Sequence, residues 1–141
     1  LAARIGKVDK AYQLFLHATR LDLDDYNNEA DQGLHITSMP GSWLAIVRGF
    51  AGMQVLKETL CFSPVIPQKW DSYSFKVNYL KNTLHIRVGK EIEISLTAGS
   101  KVDIQVYGHP YTLERGTELK INMPMCQCAN NLQRNSETNI A

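Results

Sequence analysis

The chain has 141 residues, 44% of them hydrophobic and 21% charged, with a formal net charge of +1. That is the composition and size of one ordinary globular domain. The near-neutral balance gives no general attraction to nucleic acid or anionic membrane; no apolar run reaches the length of a membrane span, and no signal-peptide pattern opens the sequence.

The cysteines are Cys61, Cys126 and Cys128. An odd number, two of them nearly adjacent, is not a disulfide framework and points to a reducing, cytoplasmic compartment. The first residue is Leu1 rather than methionine, so the expectation is a piece of a longer polypeptide.

The first element is a helix. In "KVDKAYQLFLHATRLDL", Val8, Ala11, Tyr12 and Phe15 follow i, i+3, i+4, i+7 spacing, while Lys7, Asp9, Lys10 and Gln13 lie off that stripe. The pattern fades in "DLDDYNNEADQG", where Asp, Asn and Gly offer local hydrogen bonds that compete with helix. This stretch carries Asp22, Asp24, Asp25, Glu29 and Asp31. It lacks the central glycine and terminal bidentate glutamate of a calcium loop and reads as a solvated turn.

A second helix follows. Pro40 suits a first helical turn, and Trp43, Ile46, Val47 and Phe50 repeat the helical spacing up to "GFAGM". Two amphipathic helices have little to hide against each other. Val8, Phe15, Trp43 and Phe50 are therefore expected to need further protein to cover them.

From about Thr59 the period changes to two. "SFKVNYL" alternates Phe75, Val77 and Tyr79 with Lys76 and Asn78; "TLHIRV" alternates Leu84, Ile86 and Val88 with His85 and Arg87. "EIEISL", "KVDIQV" and "ELKIN" repeat the pattern. Turns are expected at 81–82, 89–90, 98–100, 108–110 and 115–116. Together these features predict an antiparallel β-sandwich. The tail from "MCQC" onward is polar and aperiodic. Its C-x-C, without partner histidines, is too little for a zinc site, and no metal site is expected.

The entry to the second helix holds the candidate chemistry. A helix N-terminus carries unpaired N–H groups and a partial positive charge. In "GLHITSMPGSWLAIVRGF", Ser38 and Ser42 bring hydroxyls, His35 a ring donor, and Gly41 an open approach to the backbone. The residues suit a phosphate or carboxylate. They also suit an ordinary capped helix, with Ser38 as N-cap and Pro40 just inside, and on the residues alone that is the commoner arrangement. His17 and His85 lie opposite the apolar residues of their elements, and His109 falls in a turn. Lys69 and Trp70 suit either stacking on a sugar or packing of the sheet domain.

"LDLDDYNNEADQGLHITSMPGSWLAIVRGFAGM" and "LCFSPVIPQKWDSYSFKVNYLKNTLHIRV" resemble the C-terminal end of glycoside hydrolase family 65, the maltose, trehalose and kojibiose phosphorylases. The resemblance rests on a G-x-H loop, a G-[ST]-W helix start, a G-F-x-G-M exit and a P-x-x-P-x-x-W strand entry. Family members are much longer. The resemblance implies an α+β fragment: residues 1–55 as the last helices of a catalytic (α/α)6 barrel, 56–125 as a C-terminal antiparallel β-sandwich or sheet domain, and 126–141 as a polar tail.

The implied reaction is inverting cleavage of an α-glucosyl disaccharide, maltose first, by inorganic phosphate to β-glucose 1-phosphate and glucose. The family's general acid lies upstream, so no catalytic residue is assigned in this chain and the fragment alone is expected to be inactive. Phosphate binding carries over to His35 and Ser42, then to Ser38 and Gly41. No cofactor is implied beyond phosphate as co-substrate. The implied partners are the rest of the same polypeptide, the disaccharide and phosphate, and a second copy in a homodimer, with no nucleic acid and no membrane. In this resemblance Trp70 packs the sheet domain against the barrel. The alternatives are a family hydrolase of α-glucobioses and a non-catalytic β-sandwich module.

Overall fold

The computed structural model describes residues 1–24, 33 and 35–124. The acidic stretch from Asp25 to Asp31 and the Cys126/Cys128 tail lie outside the described residues.

A short 3-10 turn, Ala3–Ile5, leads into α1, Val8–Thr19, and the four-residue α2, Leu21–Asp24. The expected stripe on α1 is only half-covered, with no residue of the helix buried. Arg20 and Asp24 close the end of this region with a bidentate ion pair at 2.6 and 2.7 Å.

The second helix is α3, Ser38–Leu44, which runs on without a break as a π-helical segment, Ala45–Phe50. The wide turns end where Ala51 N–H donates to Ile46 C=O at 2.8 Å. α3 packs against α1, whereas Val47 and Ala51 enter the main core. Phe50 is 1% exposed and Trp43 48% exposed. The expectation that Phe50 needs further protein is therefore corrected: the aromatic rings around it cover it. Trp43 lies about two turns earlier, on the part of the helix whose neighbour is α1 rather than a sheet.

Among the described residues eight strands follow: β1 Gln54–Leu56, β2 Thr59–Phe62, β3 Tyr73–Tyr79, β4 Asn82–Val88, β5 Glu91–Ala98, β6 Lys101–Val106, β7 His109–Glu114 and β8 Glu118–Asn122. They form two four-stranded sheets, β1-β2-β6-β7 and β3-β4-β5-β8. Every neighbouring pair is antiparallel except β2 and β6, which run parallel. The fold class is the expected α+β with antiparallel sheets.

The alternation places Leu84, Ile86 and Val88 of β4 and Ile92, Ile94 and Leu96 of β5 in the core. They face Leu60, Phe62, Ile104 and Val106 of the other sheet in one cluster. Each such side chain contributes about 1.5–3 kcal/mol of burial. On the opposite face, Glu93 stands in register with Arg87 and Lys120 and pairs with them at 3.2 and 3.9 Å. Such exposed cross-strand pairs add a few tenths of a kcal/mol.

Three hairpins turn through pairs of residues with positive φ: Lys57 and Glu58 (47° and 60°), Leu80 and Lys81 (45° and 62°), and Tyr107 and Gly108 (52° and 82°). Two successive left-handed residues match the twist of the flanking strands. Three of the expected turns are shorter or shifted: Asn82 already belongs to β4, Ala98 still belongs to β5, and His109 and Pro110 already belong to β7.

Candidate functional site

The entry to α3 is a chain of short hydrogen bonds. Ser42 Oγ donates to Ser38 C=O at 2.7 Å, and Ser38 Oγ donates to His35 C=O at 2.5 Å. Ser38 N–H donates to the same His35 carbonyl at 2.9 Å. The structure thus brings His35, Ser38 and Ser42 together along one helix edge.

The capping expectation is corrected. Thr37 holds the N-cap position, without a side-chain cap bond, and Ser38 is the first helical residue. A serine one residue inside the helix has carbonyls rather than free N–H groups within reach, so its hydroxyl folds back onto the preceding turn. Pro40 lies in the first turn as expected and brings no N–H.

Besides Ser38, two more backbone donors at this entry are engaged. Met39 N–H reaches Ile36 C=O at 3.3 Å, and Gly41 N–H reaches Thr37 C=O at 3.2 Å. Gly41 is exposed, and a Cβ built on it would meet nothing within 4 Å, so the approach over it is open. An anion seated here would meet the Ser38 and Ser42 hydroxyls in place of free amides.

The far end of the same helix is fastened to the loop between β2 and β3. Ser63 N–H donates to Ala51 C=O at 3.2 Å, and Val65 N–H donates to Phe50 C=O at 2.7 Å. Gly52 has φ +62°, and a Cβ there would lie 2.7 Å from Ser63 O, so only glycine permits this approach. Pro64 and Pro67 are buried in the loop.

Trp70 rises from this loop into an aromatic cluster. Its ring centroid lies 4.9 Å from Phe50, 5.3 Å from Phe15, 5.9 Å from Tyr12 and 5.7 Å from Tyr73, all edge-on. Edge-on contacts of this kind add about 0.5–1.5 kcal/mol each beyond area burial. Of the two roles open to Trp70, packing between the helices and the sheets is the one its surroundings support. Tyr73 Oη donates to Val65 C=O at 3.1 Å. Burial, and secondarily Tyr107, pushes the Tyr73 phenol far above its ordinary value.

Among the described residues no group of three or more His, Cys, Asp or Glu could hold a metal ion, and no helix is long and apolar enough to cross a membrane. Cys61 is buried and unbridged; its thiol lies 3.4 Å from Thr59 C=O.

Residues 1–44 match the glycosyl hydrolase family 65 central catalytic domain, and residues 53–113 match the glycosyl hydrolase family 65 C-terminal domain. The maltose phosphorylase of Bacillus subtilis (strain 168) is 46% identical over 115 residues, covering 81% of this chain and 15% of that protein. An α,α-trehalose phosphorylase of Geobacillus stearothermophilus is 39% identical over 122 residues, covering 86% of this chain and 16% of its own length. A solved structure from the human microbiome, provisionally named a kojibiose phosphorylase, superposes with a TM-score of 0.80 at 35% identity, over 87% of this chain and 18% of that one. The chain thus spans about a sixth of the length of the curated relatives it matches. Two successive matches to domains of one family, together with relatives that align across four-fifths of the sequence, show that this chain belongs to glycoside hydrolase family 65.

Proposed function

We propose that this chain is the C-terminal part of an inverting disaccharide phosphorylase. It would act on an α-glucosyl disaccharide, maltose first, with inorganic phosphate to give β-glucose 1-phosphate and glucose. The observation that carries the substrate choice is the 46% identity to a maltose phosphorylase, against 39% to a trehalose phosphorylase and 32% to a kojibiose phosphorylase of Thermoanaerobacter brockii.

In this reaction a carboxylic acid protonates the glycosidic oxygen as the bond from C1 to that oxygen breaks. A phosphate oxygen forms the new bond to C1 from the opposite face, and the acid's proton ends on the released sugar. The acid lies outside this chain. Phosphate is already anionic, so it needs no general base; it needs fixed donors that hold it in line with C1.

His35 and Ser42 are assigned that holding role, with Ser38 beside them and Gly41 leaving the approach open. The two hydroxyls donate to carbonyls in the ligand-free arrangement. On phosphate binding they turn outward, because a charge-assisted hydrogen bond is about twice as strong as a neutral one. Phosphate is the co-substrate, and no further cofactor takes part.

Residues 1–55 are assigned to the end of the catalytic barrel, 56–125 to the sheet domain and 126–141 to a tail. The helical layer supports this division. Leu14, Ile36, Met39, Trp43 and Leu44 are exposed on it, and an apolar cleft of about 190 Å³ opens beside Leu14, Ala45 and Phe50. The rest of the same polypeptide is the partner assigned to that face. The full-length protein is assigned to the cytoplasm as a homodimer, to be checked by light scattering.

The test is phosphate-dependent release of sugar phosphate by the full-length protein from maltose, trehalose and kojibiose. Maltose is expected to react fastest. Free glucose without sugar phosphate would replace this proposal with a family hydrolase. No turnover of any α-glucobiose would replace it with a non-catalytic module.

A further inference from the structure

We propose that Trp70, although it belongs to the sheet side of the molecule, is a positioning residue for the phosphate loop. It would act through the helix that runs from Ser38 to Phe50. This inference rests on the assignment of phosphate to His35 and Ser42.

The helix packs along α1, and its tie to the sheet domain is at one end. At Phe50 and Ala51 two backbone hydrogen bonds join it to Ser63 and Val65, Gly52 allows contact closer than any side chain would, and Trp70 packs edge-on to Phe50 at 4.9 Å. Phe50 itself is 1% exposed. At the other end, Thr37, Met39, Pro40 and Gly41 are exposed. The junction between helix and sheets therefore lies at the C-terminal end of the helix, and a shift at that junction is carried along the helix to the loop.

The length of the helix gives this leverage. From Ser38 to Phe50 is twelve residue steps, about 18 Å at about 1.5 Å per residue. A tilt of about 3° at Phe50 displaces the entry by about 1 Å, and a displacement of that size costs up to about a hundredfold in a reaction that depends on alignment. Trp70 is well placed to prevent such a tilt, because it also contacts Phe15 and Tyr12 on α1. It locks the two helices to each other and both to Tyr73 on β3. This ring acts beside the Ser63 and Val65 hydrogen bonds and the direct Phe15–Phe50 contact at 5.8 Å, and it is the group that touches both helices and β3 at once.

A positioning role predicts a selective defect. Phosphate is held by the helix entry, whereas the disaccharide is held mainly by protein outside this chain. The experiment measures kcat and both KM values of the full-length protein carrying Trp70→Leu, Trp70→Phe or His35→Ala, with thermal midpoints in parallel. Trp70→Leu is expected to raise the phosphate KM about tenfold with the disaccharide KM within about twofold. Trp70→Phe, which keeps an edge-on ring, is expected to recover most of that loss.

If Trp70→Leu lowers the thermal midpoint but leaves the phosphate KM unchanged, or raises both KM values equally, the positioning role is overturned. In that case a phosphate KM still raised by His35→Ala leaves the phosphate assignment standing. If His35→Ala leaves the phosphate KM unchanged, the phosphate assignment falls and this inference falls with it. Should Trp70→Leu not fold, Trp70→Phe decides: a phosphate KM raised at least twofold with the disaccharide KM unchanged supports the role, and an unchanged phosphate KM overturns it.

Discussion

Gly99 stands directly against Asn82. A Cβ on Gly99 would lie 2.0 Å from Asn82 Oδ1 and 3.0 Å from its Cα, and Gly99 has φ +103°. Asn82 cannot retreat, because it is 8% exposed and its amide donates to Leu80 C=O at 2.9 Å. Gly99→Ala is expected to destabilise the sandwich by about 3 kcal/mol, from backbone strain and overpacking together. Denaturant unfolding checks this; a loss below about 1 kcal/mol would show that the turn relaxes freely.

Tyr73 predicts how stability falls in alkali. Its phenol is raised above the ordinary 10.0, mainly by burial and then by Tyr107. Below about pH 10 both folded and unfolded states keep the proton, and the folded state has its full stability. Above that pH the unfolded state releases the proton while the folded state retains it, so stability falls as pH rises, by at most about 1.4 kcal/mol per pH unit. Tyr73→Phe is expected to cost about 1 kcal/mol at pH 7 through the lost bond to Val65 C=O, and to flatten the curve above pH 10.

Ser42→Ala separates a structural from a ligand-holding hydroxyl. In the ligand-free helix the hydroxyl only folds back onto Ser38 C=O, and alanine is the better helix former. Stability is therefore expected to stay level or rise by about 0.5 kcal/mol. The phosphate KM of the full-length protein is expected to rise about tenfold, the equivalent of one hydrogen bond to a charged group. A large fall in thermal midpoint with unchanged phosphate KM would contradict both halves.

The helical face predicts the behaviour of the 141-residue chain on its own. With Leu14, Ile36, Met39, Trp43 and Leu44 exposed, it is expected to bind a hydrophobic dye and to self-associate with rising concentration, and to show no phosphorolysis. Trp43→Ser is expected to weaken self-association at less than about 1 kcal/mol in unfolding free energy, because the residue is already nearly half exposed. Sedimentation across a concentration series measures it; a monodisperse chain at high concentration would contradict the expectation.

The strands that alternate cleanly were readable because one face of each meets the core and the other meets water. β4 and β5 are the clearest cases. β2 hides Leu60, Cys61 and Phe62 in succession, so no alternation marks it. β7 carries Pro110, which reads as a turn residue, yet it sits on a sheet edge, where a missing N–H costs little. At the candidate site, the residue types and the i, i+4 spacing of Ser38 and Ser42 were visible in the sequence. That both hydroxyls bend back to carbonyls was not, because it depends on where the helix begins, and Thr37 takes the cap position that Ser38 suggested. The aromatic meeting of Trp70 with Phe15 and Phe50 joins residues distant in sequence, so no local pattern could reveal it.

The single parallel pairing, β2 with β6, bears on the order in which the molecule assembles. Leu60 pairs with Ile104 and Phe62 with Val106, whereas β3, β4 and β5 are joined by tight hairpins. Local pairings close quickly and distant ones wait on chain entropy. As the polypeptide leaves the ribosome, the β3–β5 meander can zip up at once. β2 must stay unpaired on one side until some forty residues more have been made. During that interval the apolar strand "TLCF" keeps one edge open, and an open apolar edge is a template for pairing with another chain.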